Sequence, residues 1–276
     1  MIRCATLACA ASLAVSLAGA EAGVLVAPTR LVFEGGERSG EFVLVNQGGE
    51  IERYRITLID RRMNEQGRVV PVGELCPDER SARSLLRFSP RQVELRPREP
   101  QTIRILVRKP GDLEPGEYRA HLQIQQVPPP PPPRAAPGDG PPRLGVRIQP
   151  IFGVTVPVIV RHGKLQASGR LDGLQLAPGA GDEPPLLRAE IHRDGERSLY
   201  GSVQAHWLPE HGEAVEVGRM NGVAVYTPNR SRPFSLPLEF PSGVVPNDGR
   251  LKLRYVEPES AGSSLIAEAG LVLGAP

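Results

Sequence analysis

The 276-residue sequence is poor in aromatic side chains, and neither sign of charge predominates in it. Phe, Trp and Tyr make up 4% of the residues, and the formal net charge is +2. Stacking on nucleotide bases needs aromatic side chains, and attraction to nucleic acid or to anionic lipid needs a clear positive balance. The composition therefore favours neither partner, and we expect no nucleic-acid partner.

Cysteine is also scarce, because the sequence has only Cys4, Cys9 and Cys76. The first two lie in an N-terminal segment that we expect to be removed, so the remaining thiol cannot form an internal disulfide. A lipoprotein signal at Cys9 is disfavoured, because Thr6 stands where such signals have leucine. With no histidine beside it in sequence, Cys76 is more typical of a buried or loop thiol than of a nucleophile.

Long apolar runs are absent beyond the N-terminus, where residues 1–22 have the pattern of a secretory signal peptide. Arg3 precedes an apolar run over residues 5–18, and small residues then allow cleavage after Ala20 or Ala22. The alternative is an uncleaved membrane anchor, but the run is shorter than a membrane span requires. We therefore expect an exported protein that is not inserted in a membrane.

What the sequence has in abundance is turn residues, with 30 Gly and 30 Pro between short apolar runs. This spacing predicts many strands and few long helices. We expect an all-β protein with two β-sandwich domains, residues 23–161 and 162–276. Strands are predicted at 24–33, 41–46, 53–60, 86–95, 101–108, 117–127 and 144–160, and then at 186–193, 199–207, 222–226, 234–240, 251–256 and 265–273, with a loop at 175–185.

Alternation of apolar residues assigns the faces of two strands in the first domain. Ile103, Val107 and either Ile105 or Leu106 are predicted to be buried, as are Tyr118, Ala120, Leu122 and Ile124. The segment DLEPGEY, which ends at Tyr118, fits the tyrosine corner of immunoglobulin-like sandwiches. A plain turn followed by a core tyrosine fits it equally well. The single tryptophan, Trp207, is predicted to lie in the core of the second domain.

A proline-rich insert at residues 128–143 precedes the last predicted strand of the first domain. It contains six consecutive prolines, which favour an extended polyproline helix and cannot join a β-ladder. The strand that follows alternates strictly at first, with Leu144, Val146 and Ile148 on one face, and becomes apolar on both faces near Phe152. These side chains either fill the domain's own core or serve strand addition to a partner, which the insert and the unusual length favour.

Three stretches of the first domain resemble periplasmic pilus-assembly chaperones of the chaperone–usher pathway, and they fit its divergent alternate and archaic branch. The resemblance covers most of residues 24–161 and fades beyond about residue 165. The stretches occur in the family's order and read VLVAPTRLVFEGGERSGEFVLVNQGGEIERYRITLIDRRM, LLRFSPRQVELRPREPQTIRILVRKPGDLEPGEYRAHLQIQQVP and RIQPIFGVTVPVIVR.

The resemblance implies two immunoglobulin-like domains, the first of pilus-chaperone type, and a location in the periplasm. It implies that the chaperone lends its last strand to a pilin subunit that lacks one, and then delivers the subunit to an outer-membrane usher. A homo-oligomer in which the donor strands cap each other is implied for the free protein. The matching donor residues are Leu144, Val146, Ile148 and Phe152.

The family also holds the subunit's terminal carboxylate with two basic residues between the domains. Arg30 matches the first of these by its place in the opening strand. The second is a lysine in the family, and here its place falls near Val156 and Pro157, where no basic residue stands. Arg161 and Lys164 are the nearest substitutes.

Two other classes of function stay open as alternatives. A structural pilus subunit or adhesin would need an N-terminal donor extension and would lack its last strand. A periplasmic binding sandwich or hydrolase should have a polar site lined by aromatic residues. The five histidines show no H-E-x-x-H spacing, and neither a G-x-S-x-G elbow nor a P-loop occurs. We therefore expect no enzyme activity, no metal site and no cofactor.

Overall fold

The described residues form two β-sandwiches, each with its own hydrophobic core. This computed structural model describes residues 23–128, 150–179, 181, 183–241 and 248–274. Apart from one 3₁₀ turn at Glu259–Ala261, every regular element among them is a β-strand, which confirms the all-β prediction. Within these residues no helix has the length and apolar character needed to cross a membrane. The predicted signal peptide lies outside the described residues.

The first sandwich packs a four-stranded sheet, in the order β1-β3-β9-β7, against a five-stranded sheet, in the order β2-β11-β10-β4-β8. A separate two-stranded hairpin, β5–β6, stands beside them. The strands are β1 Val24–Ala27, β2 Leu31–Phe33, β3 Ser39–Asn46, β4 Glu52–Ile59, β5 Arg61–Met63, β6 Val69–Pro71, β7 Leu86–Ser89, β8 Gln92–Leu95, β9 Pro100–Val107, β10 Gly116–Gln126 and β11 Gly153–His162.

This strand order is that of an immunoglobulin-like sandwich. The opening strand is divided between the sheets: β1 pairs with β3, and β2 pairs in parallel with the last strand, β11. The Tyr118 hydroxyl donates a hydrogen bond to the Glu114 carbonyl oxygen over 2.9 Å. The tyrosine corner is therefore confirmed over the plain turn.

The predicted faces are largely those that pack in the core. Ala120, Leu122 and Ile124 of β10 are fully buried, and Tyr118 packs against the same cluster. On β9 the core residue is Ile105, whereas Leu106 points outward and is 47% exposed. A strict period of two decides between these neighbours, because successive side chains of a strand point to opposite faces.

The second sandwich packs a three-stranded sheet, in the order β12-β13-β16, against a four-stranded sheet, in the order β15-β14-β17-β18. Trp207 is buried in its core, as predicted, with its ring edge-on to Phe240 at a centroid distance of 6.0 Å. The strands are β12 Ala167–Ala177, β13 Leu186–Gly195, β14 Leu199–Leu208, β15 Val215–Val225, β16 Ser231–Pro237, β17 Arg250–Val256 and β18 Leu265–Val272.

The structure differs from the sequence prediction at four places. Strand β15 begins at Val215, whereas the strand was predicted at 222–226. The β5–β6 hairpin lies between the strands predicted at 53–60 and 86–95, where no strand was predicted. Strand β12 was not predicted, and its end at residues 175–177 corrects the start of the loop assigned to 175–185. The physical reason is that Leu171 is its only fully buried side chain, so the strand carries almost no apolar alternation. Strand β11 begins at Gly153, and residues 150–152 before it are not in a strand. The domain boundaries stay a prediction.

Candidate functional site

A cleft of about 490 Å³ lies between the two sandwiches. Its first wall is built from the segment that precedes β2, from β2 itself and from the end of β11. Its second wall is built from the start of β14 and from the loop that follows β17. Arg30 and Arg161 both line it, so the structure brings two of the three predicted anchor residues together. Lys164 is exposed and does not line the cleft.

An apolar cluster joins the sandwiches beside the cleft. The parallel register of β2 and β11 places Val32 next to Ile159, on the face of the sheet that meets the second sandwich. Ile159 is fully buried against Met63 of the β5–β6 hairpin and against Ala224 and Tyr226 of the second sandwich. The hairpin that the sequence analysis missed is therefore part of the domain joint.

A buried ion pair ties the joint together. The side chain of Glu117 on β10 is fully buried and accepts a hydrogen bond from Nε of Arg161 over 2.9 Å. It also accepts one from the Ser198 amide over 3.0 Å and one from the Thr227 hydroxyl over 3.3 Å. Burial alone would raise the pKa of Glu117, but the charge of Arg161 and the hydrogen bonds from Ser198 lower it below its usual value. The carboxylate is therefore ionised, and it accepts hydrogen bonds from residues of both sandwiches.

Arg161 is held on every side of its guanidinium. Besides Glu117, it contacts the Glu34 carboxylate through Nη1 and donates from Nη2 to the Ser198 carbonyl oxygen over 3.2 Å. Its side chain is about one-tenth exposed. These bonds leave it little freedom to take another partner, and its predicted anchoring role stays a prediction.

Arg30 is held differently, because its contacts leave polar atoms unsatisfied. Its guanidinium carbon lies 4.2 Å from the ring centroid of Tyr200, on β14 of the second sandwich. Nε and Nη1 are buried and have no hydrogen-bond partner in the described part of the chain. Burial is the main cause that lowers the pKa of Arg30, and the neighbouring Arg161 lowers it further. Arg30 as a whole is half-buried, and a guanidinium whose N–H groups lack partners is suited to bind an anion, above all a carboxylate that it can hold through two bonds.

The far end of β11 lines the same cleft through Arg161. One side of this strand pairs with β10 from Gly153 to His162, whereas its other side pairs with β2 only from Val158 to Val160. The backbone of residues 153–157 therefore has no described strand on that side. Phe152, just before it, is 47% exposed. The predicted donor residues Leu144, Val146 and Ile148 lie outside the described residues.

Two observations bear on catalysis and redox chemistry. No group of three or more potential metal ligands occurs among the described residues. Cys76 is exposed and has no disulfide partner in this part of the chain.

Comparison with known proteins gives structural likeness only, since no protein-family model and no curated protein matches the sequence. The chaperone CupB2 of Pseudomonas aeruginosa is 12% identical, with coverage of 91% of this chain and 100% of that one and a TM-score of 0.40. The class 5 fimbriae chaperone CfaA is 12% identical, with coverage of 92% and 100% and a TM-score of 0.43.

A chain of the CsuC–CsuE chaperone–tip subunit complex, from archaic Csu pili of Acinetobacter baumannii, is 11% identical, with coverage of 92% and 100% and a TM-score of 0.42. Identities and TM-scores of this size do not transfer the role of these proteins to this chain.

Proposed function

We propose that this protein is a periplasmic chaperone that binds pilin subunits by donor-strand complementation and delivers them to an outer-membrane usher. One observation carries the proposal: among the described residues, the last strand of the first sandwich has no neighbouring strand on one side at residues 153–157, and its far end lines a cleft that contains an arginine with two unpartnered N–H groups. The predicted signal peptide agrees with a periplasmic location.

The free edge of β11 supports strand addition. A subunit that lacks its last strand can pair its own edge with this backbone, and the main-chain hydrogen bonds then supply affinity. The alternating side chains Leu144, Val146 and Ile148, followed by Phe152, enter the apolar groove of the subunit. Burial of each such side chain contributes about 1.5–3 kcal/mol, which makes the apolar row the main source of affinity.

Arg30 sets the position of the subunit along this edge. The terminal carboxylate of the subunit supplies the acceptors that Nε and Nη1 lack within the described chain. Because a carboxylate pairs with a guanidinium in one plane and through two bonds, it fixes direction as well as position. The apolar side chains then meet their pockets in one register.

The alternative of a structural pilus subunit is less well supported. A subunit that accepts a donor strand would lack the last strand of its own sandwich. Here β11 is present and pairs with β10 over the whole of its length. The alternative of a non-catalytic binding sandwich is less well supported, since Tyr200 is the single aromatic residue in the lining of the described cleft.

Co-expression with a pilin subunit encoded beside the gene tests the proposal. The tagged chain should co-purify with the subunit in equal amounts, and Val146→Asp should abolish the complex because it buries a charge in the groove. Val43→Asp is the matched control, since Val43 is 37% exposed on the other sheet of the same sandwich. Equal recovery with both variants would show that the strand is not the donor. If Arg30→Ala leaves the complex intact, the anchoring role is wrong even where strand donation is right.

A further inference from the structure

We propose that the second sandwich supplies half of the carboxylate site: Arg197 is the second anchoring cation, and Tyr200 positions Arg30. This inference rests on the proposed function and identifies which residues of the cleft hold the client's C-terminus. It also assigns a role to the second domain, on whose function the sequence is silent.

The candidates for a second cation are few. Among the described residues, the cleft is lined by three basic side chains, Arg30, Arg161 and Arg197. Arg161 is already bonded to Glu117, Glu34 and the Ser198 carbonyl oxygen. Arg197 is half-buried and forms no salt bridge with any described residue. It is therefore the cation of the cleft that is left to pair with a ligand.

The charge balance of the cleft requires such a second cation. Glu34, Glu37 and Glu257 also line it. Arg161 already pairs with two carboxylates, Glu117 and Glu34, so its charge is not available to a ligand. Arg30 alone would then face Glu37 and Glu257, and a second unpaired cation in the lining, Arg197, offsets part of this negative charge.

The position of Arg197 is fixed by the domain joint. Its backbone carbonyl oxygen accepts a hydrogen bond from Nη1 of Arg193 over 3.3 Å. The next residue, Ser198, donates its amide to Glu117 and accepts from Arg161, both of the first sandwich. These hydrogen bonds fix the backbone of Arg197 in the wall of the cleft opposite Arg30, although the two residues belong to different domains.

Tyr200 acts through Arg30. The aromatic ring lies 4.2 Å from the guanidinium carbon, within the range of a cation–π contact. This contact occupies a face of the guanidinium and leaves its edge, with the unpartnered Nε and Nη1, for hydrogen bonds. Tyr200 lines the same cleft, so it is a positioning residue for the anchor.

The test uses the full mature chain and a minimal probe, N-acetyl-trialanine as the free acid and as the amide. Binding is followed by NMR of the arginine Nε–H signals. The wild type should bind the acid at least tenfold more tightly than the amide. Arg197→Gln should weaken binding of the acid roughly tenfold, as expected when a charge-assisted pair is lost, and should leave binding of the amide unchanged. Arg197→Lys should retain most of the preference, because it keeps the charge.

Control variants separate this inference from the proposed function. Arg188→Gln removes an exposed arginine of the same domain that does not line the cleft, and it should change nothing. Tyr200→Leu should weaken binding of the acid several-fold and shift the Arg30 Nε–H signal before any probe is added, whereas Tyr200→Phe should keep both.

Each outcome decides something. If Arg30→Gln weakens binding of the acid and Arg197→Gln does not, the second-domain contribution is overturned and the Arg30 anchor stands. If the wild type shows no preference for the acid, the carboxylate site itself is overturned, while strand donation is still decided by the Val146→Asp complex. If Arg197→Gln lowers binding of acid and amide alike, the residue acts on the fold and the inference is overturned.

Discussion

The carboxylate of Glu117 and the guanidinium of Arg161 form a buried ion pair, 2.9 Å apart, at the junction of the two sandwiches. Ser198 and Thr227 of the second sandwich donate to the same carboxylate. The pair therefore does more than join two strands of one sheet, because its remaining hydrogen-bond capacity is used across the domain joint.

Removal of Glu117 should cost far more stability than removal of an exposed acidic residue. Glu117→Ala leaves Arg161 buried beside a single carboxylate, and breaking a buried pair typically costs about 3–5 kcal/mol. Glu94→Ala is the matched control, since the Glu94–Arg53 pair is more than half exposed and should contribute under about 1 kcal/mol. Urea unfolding of both variants measures the difference. Equal losses would mean that the buried pair does not hold the joint.

His121 should make the fold less stable as the pH falls. It is 3% exposed, and burial, followed by the charges of Arg119 and Arg61, lowers its pKa from 6.5 to about 3. Between these values the unfolded chain binds a proton and the folded chain does not, so stability is full above about pH 6.5 and declines below it.

The size of this effect follows from the two pKa values. Between pH 7.5 and pH 5 the histidine should cost about 2 kcal/mol of stability. His121→Gln should remove that part of the pH dependence, whatever it does to stability at pH 7.5. Urea unfolding at both pH values checks this. If the wild type and His121→Gln lose stability in parallel, His121 is not the group responsible.

The hydroxyl groups of two tyrosines should contribute different amounts to the free energy of unfolding. Tyr118 donates to the Glu114 carbonyl oxygen at an exposed corner, whereas Tyr255 donates to the Val223 carbonyl oxygen over 2.8 Å inside the second core. Tyr118→Phe should cost about 1 kcal/mol, and Tyr255→Phe should cost more, up to about 3 kcal/mol, because it leaves a buried acceptor unpaired. Unfolding of both variants in urea measures the order. A larger loss of stability for Tyr118→Phe than for Tyr255→Phe would contradict the idea that burial sets the contribution of these hydrogen bonds.

The sequence predicted most of the strands because their apolar residues alternate, as on β9 and β10. It did not predict β12, whose single buried residue, Leu171, gives no alternation. Nor did it predict the β5–β6 hairpin, whose Met63 packs in the domain joint rather than in a sheet core. Alternation of apolar residues with a period of two identifies strands that bury one face in a sandwich core. It misses edge strands such as β12 and elements that pack between the domains, such as the β5–β6 hairpin.

The site was predicted less completely than the fold. Arg30 was identified through the family resemblance, but Glu117 carries no signal in the sequence, since a charged residue beside a turn is normally assigned to solvent. Its burial depends on Arg161 and Ser198, which are distant in the chain. The same holds for the contact between Arg30 and Tyr200, which depends on how the two domains pack together.

Hydrogen–deuterium exchange of the donor strand tests the central claim most directly. Backbone amides of residues 144–157 that do not donate to β10 should exchange rapidly in the free chain and become protected when a pilin subunit is bound, because the subunit supplies the missing ladder partner. The Val43→Asp control should show the same protection, and Val146→Asp should show none. Unchanged exchange at residues 144–157 in a verified complex, with protection elsewhere, would contradict the account.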